Sequence, residues 1–162
     1  MIFYTDGSCR GNGKANNSGG FGVVILNNDG SFFDAYSETE ENTTNNRQEM
    51  KAIYYVLINY GLSEFEIPVV YSDSNYCVQT FNNWMHSWAR KGWIKSDKKT
   101  PENLDIIQNY FNALNKGYKI DLRKVAGHSG IKWNEVADKL ATGELTPAQV
   151  RNLYGNKGDL NG

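Results

Sequence analysis

The sequence predicts an α/β fold, a mixed sheet flanked by helices, and two observations carry that reading. Three β-rich runs come first, two of them joined by the hairpin signal Asn28-Asp29-Gly30, so the chain opens as an antiparallel meander. An amphipathic helix then separates these runs from a fourth, apolar one, which is the pattern of a crossover to a parallel strand.

Taken in order, Ile2 to Asp6 reads as a short strand ending in a carboxylate, and Gly7 to Gly20, dense in Gly, Asn and Ser, as a loop. Phe21 to Leu26 and Ser31 to Ser37 are the hairpin strands, and Thr39 to Thr44 is a polar connection. Thr44 or Asn45 caps a helix in which Met50, Ile53, Tyr54, Leu57 and Ile58 share one face, and Gly61 stops it. Pro68 to Tyr71 is a strand running into Ser72-Asp73, and Asn75 to Asn83 is helical. Pro101 opens a helix with Leu104, Ile107, Phe111 and Leu114 on one face. Tyr118 to Lys124 is a strand, Gly127 to Gly130 a loop and Lys132 to Ala141 the last helix. The tail from Asn156 is expected to fray. No repeat or interdomain linker is visible, which gives a single domain over residues 1–145 and an extension over 146–162.

With 162 residues the chain can bury a core without disulfide or zinc staples. No apolar run approaches the ~20 residues of a membrane span. The N-terminus lacks a basic, apolar leader, so a cytoplasmic location is expected. Cys9 and Cys77 have no CxxC spacing and read as reduced thiols, and His86 and His128 lie too far apart, without Cys neighbours, for zinc. Seventeen Lys and Arg against 18 Asp and Glu give a net charge of −1, which excludes overall basicity as a basis for binding nucleic acid. The charge is unevenly spread: Arg90, Lys91, Lys95, Lys98 and Lys99 stand against Asp97 alone in Trp84 to Lys99, a local excess of +4 that leaves −5 elsewhere.

Four acids stand out jointly. Asp6 and Asp73 each end a short apolar strand, and two such strands, parallel and adjacent, would set both carboxylates at one sheet edge, where ligands gather in such folds. Glu49 and Asp138 lie on helices beside apolar positions. Any one of them alone reads as an ordinary solvated acid. A cluster of four is different: each pair at ~4 Å and an effective dielectric near 20 costs about 4 kcal/mol, so cations are needed. Oxygen-only ligands suit Mg²⁺ or Mn²⁺, and two such ions ~3.5–4 Å apart clamp a phosphodiester for in-line attack. Gly11-x-Gly13-x-x-Asn16 fails the dinucleotide pattern, and Gly13-Lys14-Ala15 fails the P-loop, so no nucleotide cofactor is expected.

Four segments then resemble, in family order, type 1 ribonuclease H. These are Tyr4-Thr5-Asp6-Gly7-Ser8-Cys9-Arg10-Gly11-Asn12, then Thr43-Thr44-Asn45-Asn46-Arg47-Gln48-Glu49, then Tyr71-Ser72-Asp73-Ser74. The last is Gly127-His128-Ser129-Gly130 with Asn134 and Asp138 beyond it. The resemblance covers about residues 1–145. It implies a five-stranded mixed sheet with helices on both sides, and endonucleolytic cutting of the RNA strand of RNA–DNA hybrids to 5′-phosphate and 3′-hydroxyl ends. It implies Asp6, Glu49, Asp73 and Asp138 as ligands of two Mg²⁺ ions, with Mn²⁺ as a substitute and Asp6 as the bridging ligand, and His128 in proton transfer or product release. RNA is distinguished by its 2′-hydroxyl across a shallow minor groove; Cys9 through its backbone, Asn12, Asn45, Asn46 and Asn75 match positions that read it. Since the chain holds 20 Asn, a single match says little.

Residues Trp84 to Lys99 resemble the family's basic handle, which grips phosphates without reading sequence. By this resemblance Trp84, Trp88, Arg90, Lys91, Lys98 and Lys99 face the DNA strand, with Lys95 beside them and Thr44 and Asn103 in a DNA phosphate pocket. Trp84, Trp88 and Trp93 read equally well as core, and Arg47 as structural. There are departures from the family pattern. Asn12-Gly13-Lys14 replaces Asn-Pro-Gly ahead of a longer loop, Asn42 stands where several members carry Arg, and Ala89 and Ile94 stand where the handle often has Lys.

There are three rival readings. One is a silent nucleic-acid-binding module, which predicts a missing carboxylate, whereas all four are present. The others are another nuclease of the superfamily and a piece of a reverse transcriptase. Met1 directly before the first strand favours a free-standing protein over the last of these, and a monomer is expected.

Overall fold

The computed structural model describes residues 1–126 and 131–155. A five-stranded sheet is built from β1 (Ile2–Arg10), β2 (Ser18–Leu26), β3 (Phe32–Glu41), β4 (Val69–Ser72) and β5 (Asp121–Lys124), in the order β3-β2-β1-β4-β5. β1–β2 and β2–β3 pair antiparallel, and β1–β4 and β4–β5 pair parallel. The mixed sheet expected from the meander and the crossover is thus present.

Helices cover both faces. On one lie α1 (Asn45–Tyr60), α4 (Leu104–Asn115) and a chain of α2 (Asn75–Gln79), a π-helical turn (Thr80–Trp84) and α3 (Met85–Arg90). On the other lie α5 (Lys132–Thr142), α6 (Pro147–Val150) and a π-helical turn over Arg151–Gly155. β2 is apolar on both sides and supplies both cores: Val23 and Ile25 pack with Met50, Ile53 and Leu57 of α1, while Val24 and Leu26 pack with Val136, Ala137 and Leu140 of α5. In α1 the buried stripe runs through Glu49, Met50, Ile53, Val56 and Leu57; Ile58, expected on it, is 41% exposed.

The segment read as a loop, Gly7 to Gly20, is the main correction. Gly7 to Arg10 pair with Ser18 to Phe21, so both strands run on past the apolar runs that signalled them. The glycines that weaken a strand reading are there for contact. A Cβ on Gly7 would fall 2.2 Å from the Glu49 backbone nitrogen, and one on Gly22 would fall 2.5 Å from Ala137 O and from Leu140 Cβ. Bare backbone at these two points lets α1 and α5 sit directly on the sheet. β3 likewise continues to Glu41 through the segment read as a connection.

Several boundaries also move. The helix read over 75–83 continues through its π turn to Arg90, α4 starts at Leu104 rather than Pro101, and β5 is shorter than Tyr118 to Lys124. Residues 147–155, not anticipated as helical, fold back on β3: Val150 is fully buried, and Arg151 binds Asp34 and the Ala35 carbonyl. The loop with His128 and the tail from Asn156 lie outside the described residues.

Candidate active site

The register of the parallel pair places the first two acids. Thr5 pairs with Ser72, so Asp6 and Asp73 each lie one residue beyond the last matched pair, side by side at the carboxyl end of the sheet. Glu49 arrives from α1, which Thr44 caps by accepting from the Arg47 backbone N–H and which Gly7 allows to touch β1. One oxygen from each of Asp6, Glu49 and Asp73 lies within 4.8 Å of the other two. Asp138 comes from α5, seated on Gly22, which pairs with Asp6. It lines a cavity of about 180 Å³ with Asp6, Asp73, Asn134 and Glu135. Glu49 is buried, as its place on the apolar side of α1 suggested, whereas Asp138 is exposed. The reason is its position on α5, one residue past the buried Ala137 that faces the sheet.

Asp6 is 5% exposed, and its carboxyl is pushed up to about 7. Burial is the largest cause, and the nearby Asp73 and Asp138 add to it, while a hydrogen bond with Glu49 works the other way. Glu49, 9% exposed, is raised well above the usual carboxylate range by burial and by Asp6. Without a cation, Asp6 and Glu49 hold protons that isolated carboxyls would release.

The donor set fits a hard divalent cation. Every group in the cluster is a carboxylate, and neither Cys nor His is among them. Glu49 Oε2 is buried without a hydrogen-bond partner among the described residues, an arrangement whose cost a coordinated ion would remove. Asn134 Oδ1, buried on the wall of the same cavity, likewise has no partner among the described residues.

The polar residues read as RNA contacts gather around this end of the sheet. Asn12 Oδ1 accepts from the Asn45 backbone N–H at 3.0 Å, tying the β1–β2 loop to the start of α1. Asn45, Asn46 and Asn75 are exposed. Cys9 is buried with its sulfur 3.5 Å from Thr43 O, and the Cys77 thiol is pushed up to about 12 by burial; both are unbridged.

On the α1–α4 side, Arg47 makes a two-pronged ion pair with Asp105 and donates to Asn103 Oδ1, while Asn103 sits in the left-handed region at φ 58°. Arg47 is structural in this sense: it holds the Asn103 side chain beside Thr44's helix. The tryptophans divide. Trp84 is 41% exposed, while Trp88 and Trp93 pack on the core, Trp93 edge-on to Phe111. Arg90, Lys91, Lys98 and Lys99 are exposed. Glu135 was not singled out from the sequence; its place three residues before Asp138 on one helix was the available signal.

A family model described as RNase H matches residues 1–146. The ribonuclease H of Caldanaerobacter subterraneus subsp. tengcongensis is 37% identical over 146 residues, covering 88% of each chain. That of Shewanella denitrificans is 37% identical over 155 residues, covering 93% of this chain and 91% of the other. The chain belongs to the ribonuclease H family. It is an enzyme, an endonuclease that hydrolyses the RNA strand of RNA–DNA hybrids, and it is metal-dependent. Among solved structures, the ribonuclease H1 called LC9, described as a type 1 enzyme with the type 2 active-site motif, superposes with a TM-score of 0.72. It is 32% identical, and the match spans 91% of this chain and 72% of that one.

Proposed function

We propose that this ribonuclease H cuts with two Mg²⁺ ions held by Asp6, Glu49, Asp73 and Asp138. The observation that carries the assignment is the place of Asp6, which meets Glu49, Asp73 and Asp138 at once and so would be the carboxylate shared by two ions. When bound, the ions supply a nucleophilic water at neutral pH and stabilise charge on the leaving 3′ oxygen. The chain supplies the rest. Burial of Asp6 and Glu49 keeps competing water from their oxygens, and Gly7 and Gly22 fix the two helices that deliver Glu49 and Asp138. His128 is proposed for proton transfer on the strength of its family match. Mn²⁺, with the same preference for oxygen ligands, would substitute.

The hybrid is proposed to lie with its minor groove over Cys9, Asn12, Asn45, Asn46 and Asn75. Its DNA strand would cross Thr44 and Asn103 toward Trp84, Trp88, Arg90, Lys91, Lys98 and Lys99. Of these, Trp84 has the exposed face that packing on a sugar requires, and Trp88 acts by supporting it, their rings 6.3 Å apart. All four carboxylates come from one chain, so a monomer suffices. The unbridged thiols suit a reducing cell interior. No helix among the described residues is long and apolar enough to cross a membrane.

Asp73→Asn tests the assignment, since it keeps size and shape while removing one ligand charge. Cleavage should fall by at least ~10³-fold, while hybrid binding without metal and the melting temperature hold. Binding lost together with folding would make Asp73 a structural residue.

A further inference from the structure

A second polar cavity, of about 200 Å³, lies on the α5 side of the sheet and belongs to none of the groups above. Ser8, Arg10, Ser18, Thr39 and Thr142 line it. The strand register explains their convergence. Side chains of a strand alternate, so Asp6, Ser8 and Arg10 project from β1 to one face. Ser18 pairs with Arg10, Gly20 with Ser8, and Thr39 with Gly20. A Cβ on Gly20 would lie 3.0 Å from Ala141 O, which places this face under the end of α5.

The lining has the chemistry of a site for a small anion. Arg10 is exposed and has no ion pair or side-chain hydrogen bond among the described residues, and the hydroxyls of Ser8, Ser18 and Thr39 are equally without protein partners there. The carbonyls at the end of α5, which would repel an anion, are partly engaged: Leu140 O accepts from Gly143 N–H, and Lys139 O from Leu145 N–H and the Thr142 hydroxyl. Glu41, which pairs with Ser18, is the nearest acid by register, and it makes no ion pair with Arg10. A cavity of this size is below that of drug-sized ligands and admits one phosphate with the edge of its sugar.

Its position selects the strand. Arg10 lies about 13 Å along β1 from Asp6, which is about two to four nucleotides along a strand that crosses the carboxylates. The proposed DNA contacts, Thr44, Asn103 and the Trp84 to Lys99 segment, all hang on the α1–α4 side. The cavity is on the opposite side, so the strand that continues into it is the one being cut.

We propose that Arg10, with Ser8, Ser18 and Thr39, forms a subsite for a backbone phosphate of the RNA strand, two to four linkages from the scissile one. The proposal rests on the reading of this site as a hybrid-cleaving one. The test measures cleavage of a hybrid against salt by the wild type, Arg10→Gln and Arg10→Lys. Substrates are then used in which a single RNA linkage, or a single DNA linkage, is a neutral methylphosphonate.

Arg10→Gln is expected to raise KM about three- to tenfold with kcat held, and to lower the slope of log affinity against log salt by about 0.7–0.9. Arg10→Lys should recover most of that slope. One methylphosphonate in the RNA strand, at the second to fourth linkage, should weaken wild-type binding and add nothing further in Arg10→Gln. An unchanged salt slope, full additivity at every RNA linkage, or non-additivity only in the DNA strand would overturn the subsite. Failure of the wild type to cut any hybrid would instead overturn the reading of function.

Discussion

Asp6 concentrates the electrostatic cost of the site. Its carboxyl stands near 7 in the fold, against about 3.9 in an unfolded chain. A group whose folded value is raised adds stability fully below its unfolded value and loses that contribution as pH rises through its folded one. Glu49 is shifted in the same direction. The metal-free protein should therefore lose stability as pH rises from about 4 to about 7, by an amount on the order of 1–3 kcal/mol. Divalent metal should restore that stability most strongly above pH 7, where protons no longer compete for the oxygens. Asp6→Asn removes the ionisation, so it should melt higher than the wild type in EDTA at pH 8 while being inactive. Melting curves in EDTA and in Mg²⁺ at pH 5 and pH 8 check both statements, and a wild type whose EDTA melting point rises with pH would contradict the first. The four acids were legible in the sequence because each follows an apolar strand run or sits at a recognisable helix position, although β1 runs on past Asp6 to Arg10. That Asn134 Oδ1 and Arg10 have no partner among the described residues was not, since both follow from what is near them in space.

At the scale of the element, two glycines set the helices. Gly7→Ala forces a Cβ into the backbone of Gln48 and Glu49, where no flexible side chain can yield. It should displace the start of α1, cost roughly 2 kcal/mol or more of stability, and lower kcat more than it raises KM. A kcat within twofold of wild type would show that the position of Glu49 is not set by this contact. The Trp84 to Lys99 segment makes a different prediction. Neutralising the exposed Lys98 and Lys99 should weaken hybrid binding and reduce its salt slope by about 1.4–1.8, with kcat at saturation held; an unchanged slope would remove the segment from the substrate's path. Gly7, Gly19 and Gly20 explain why the sequence understated β1 and β2. Glycine is a turn residue by propensity, and here its lack of a side chain serves close packing on neighbouring backbone. Helix α6 escaped notice for another reason: four residues carry no periodicity, and its place comes from Val150 and Arg151 docking on β3.

For the molecule as a whole, a net charge of −1 conceals two opposed regions. Acids converge where β1 passes the carboxyl end of β4, and exposed cations lie beyond α3, with Arg10 on the other flank. The order of strands and helices made the sheet topology readable, because a meander followed by a helical crossover leaves few alternatives. This arrangement is expected to cut only RNA, only opposite DNA, and only with a divalent metal. The most direct measurement incubates the protein with an end-labelled RNA–DNA hybrid, duplex RNA and duplex DNA, each in Mg²⁺, Mn²⁺ and EDTA. Internal cuts in the RNA strand of the hybrid, ending in 5′-phosphate and 3′-hydroxyl, are expected with Mg²⁺ or Mn²⁺ and none in EDTA. Cleavage that persists in EDTA, or that falls equally on duplex RNA or DNA, would contradict it.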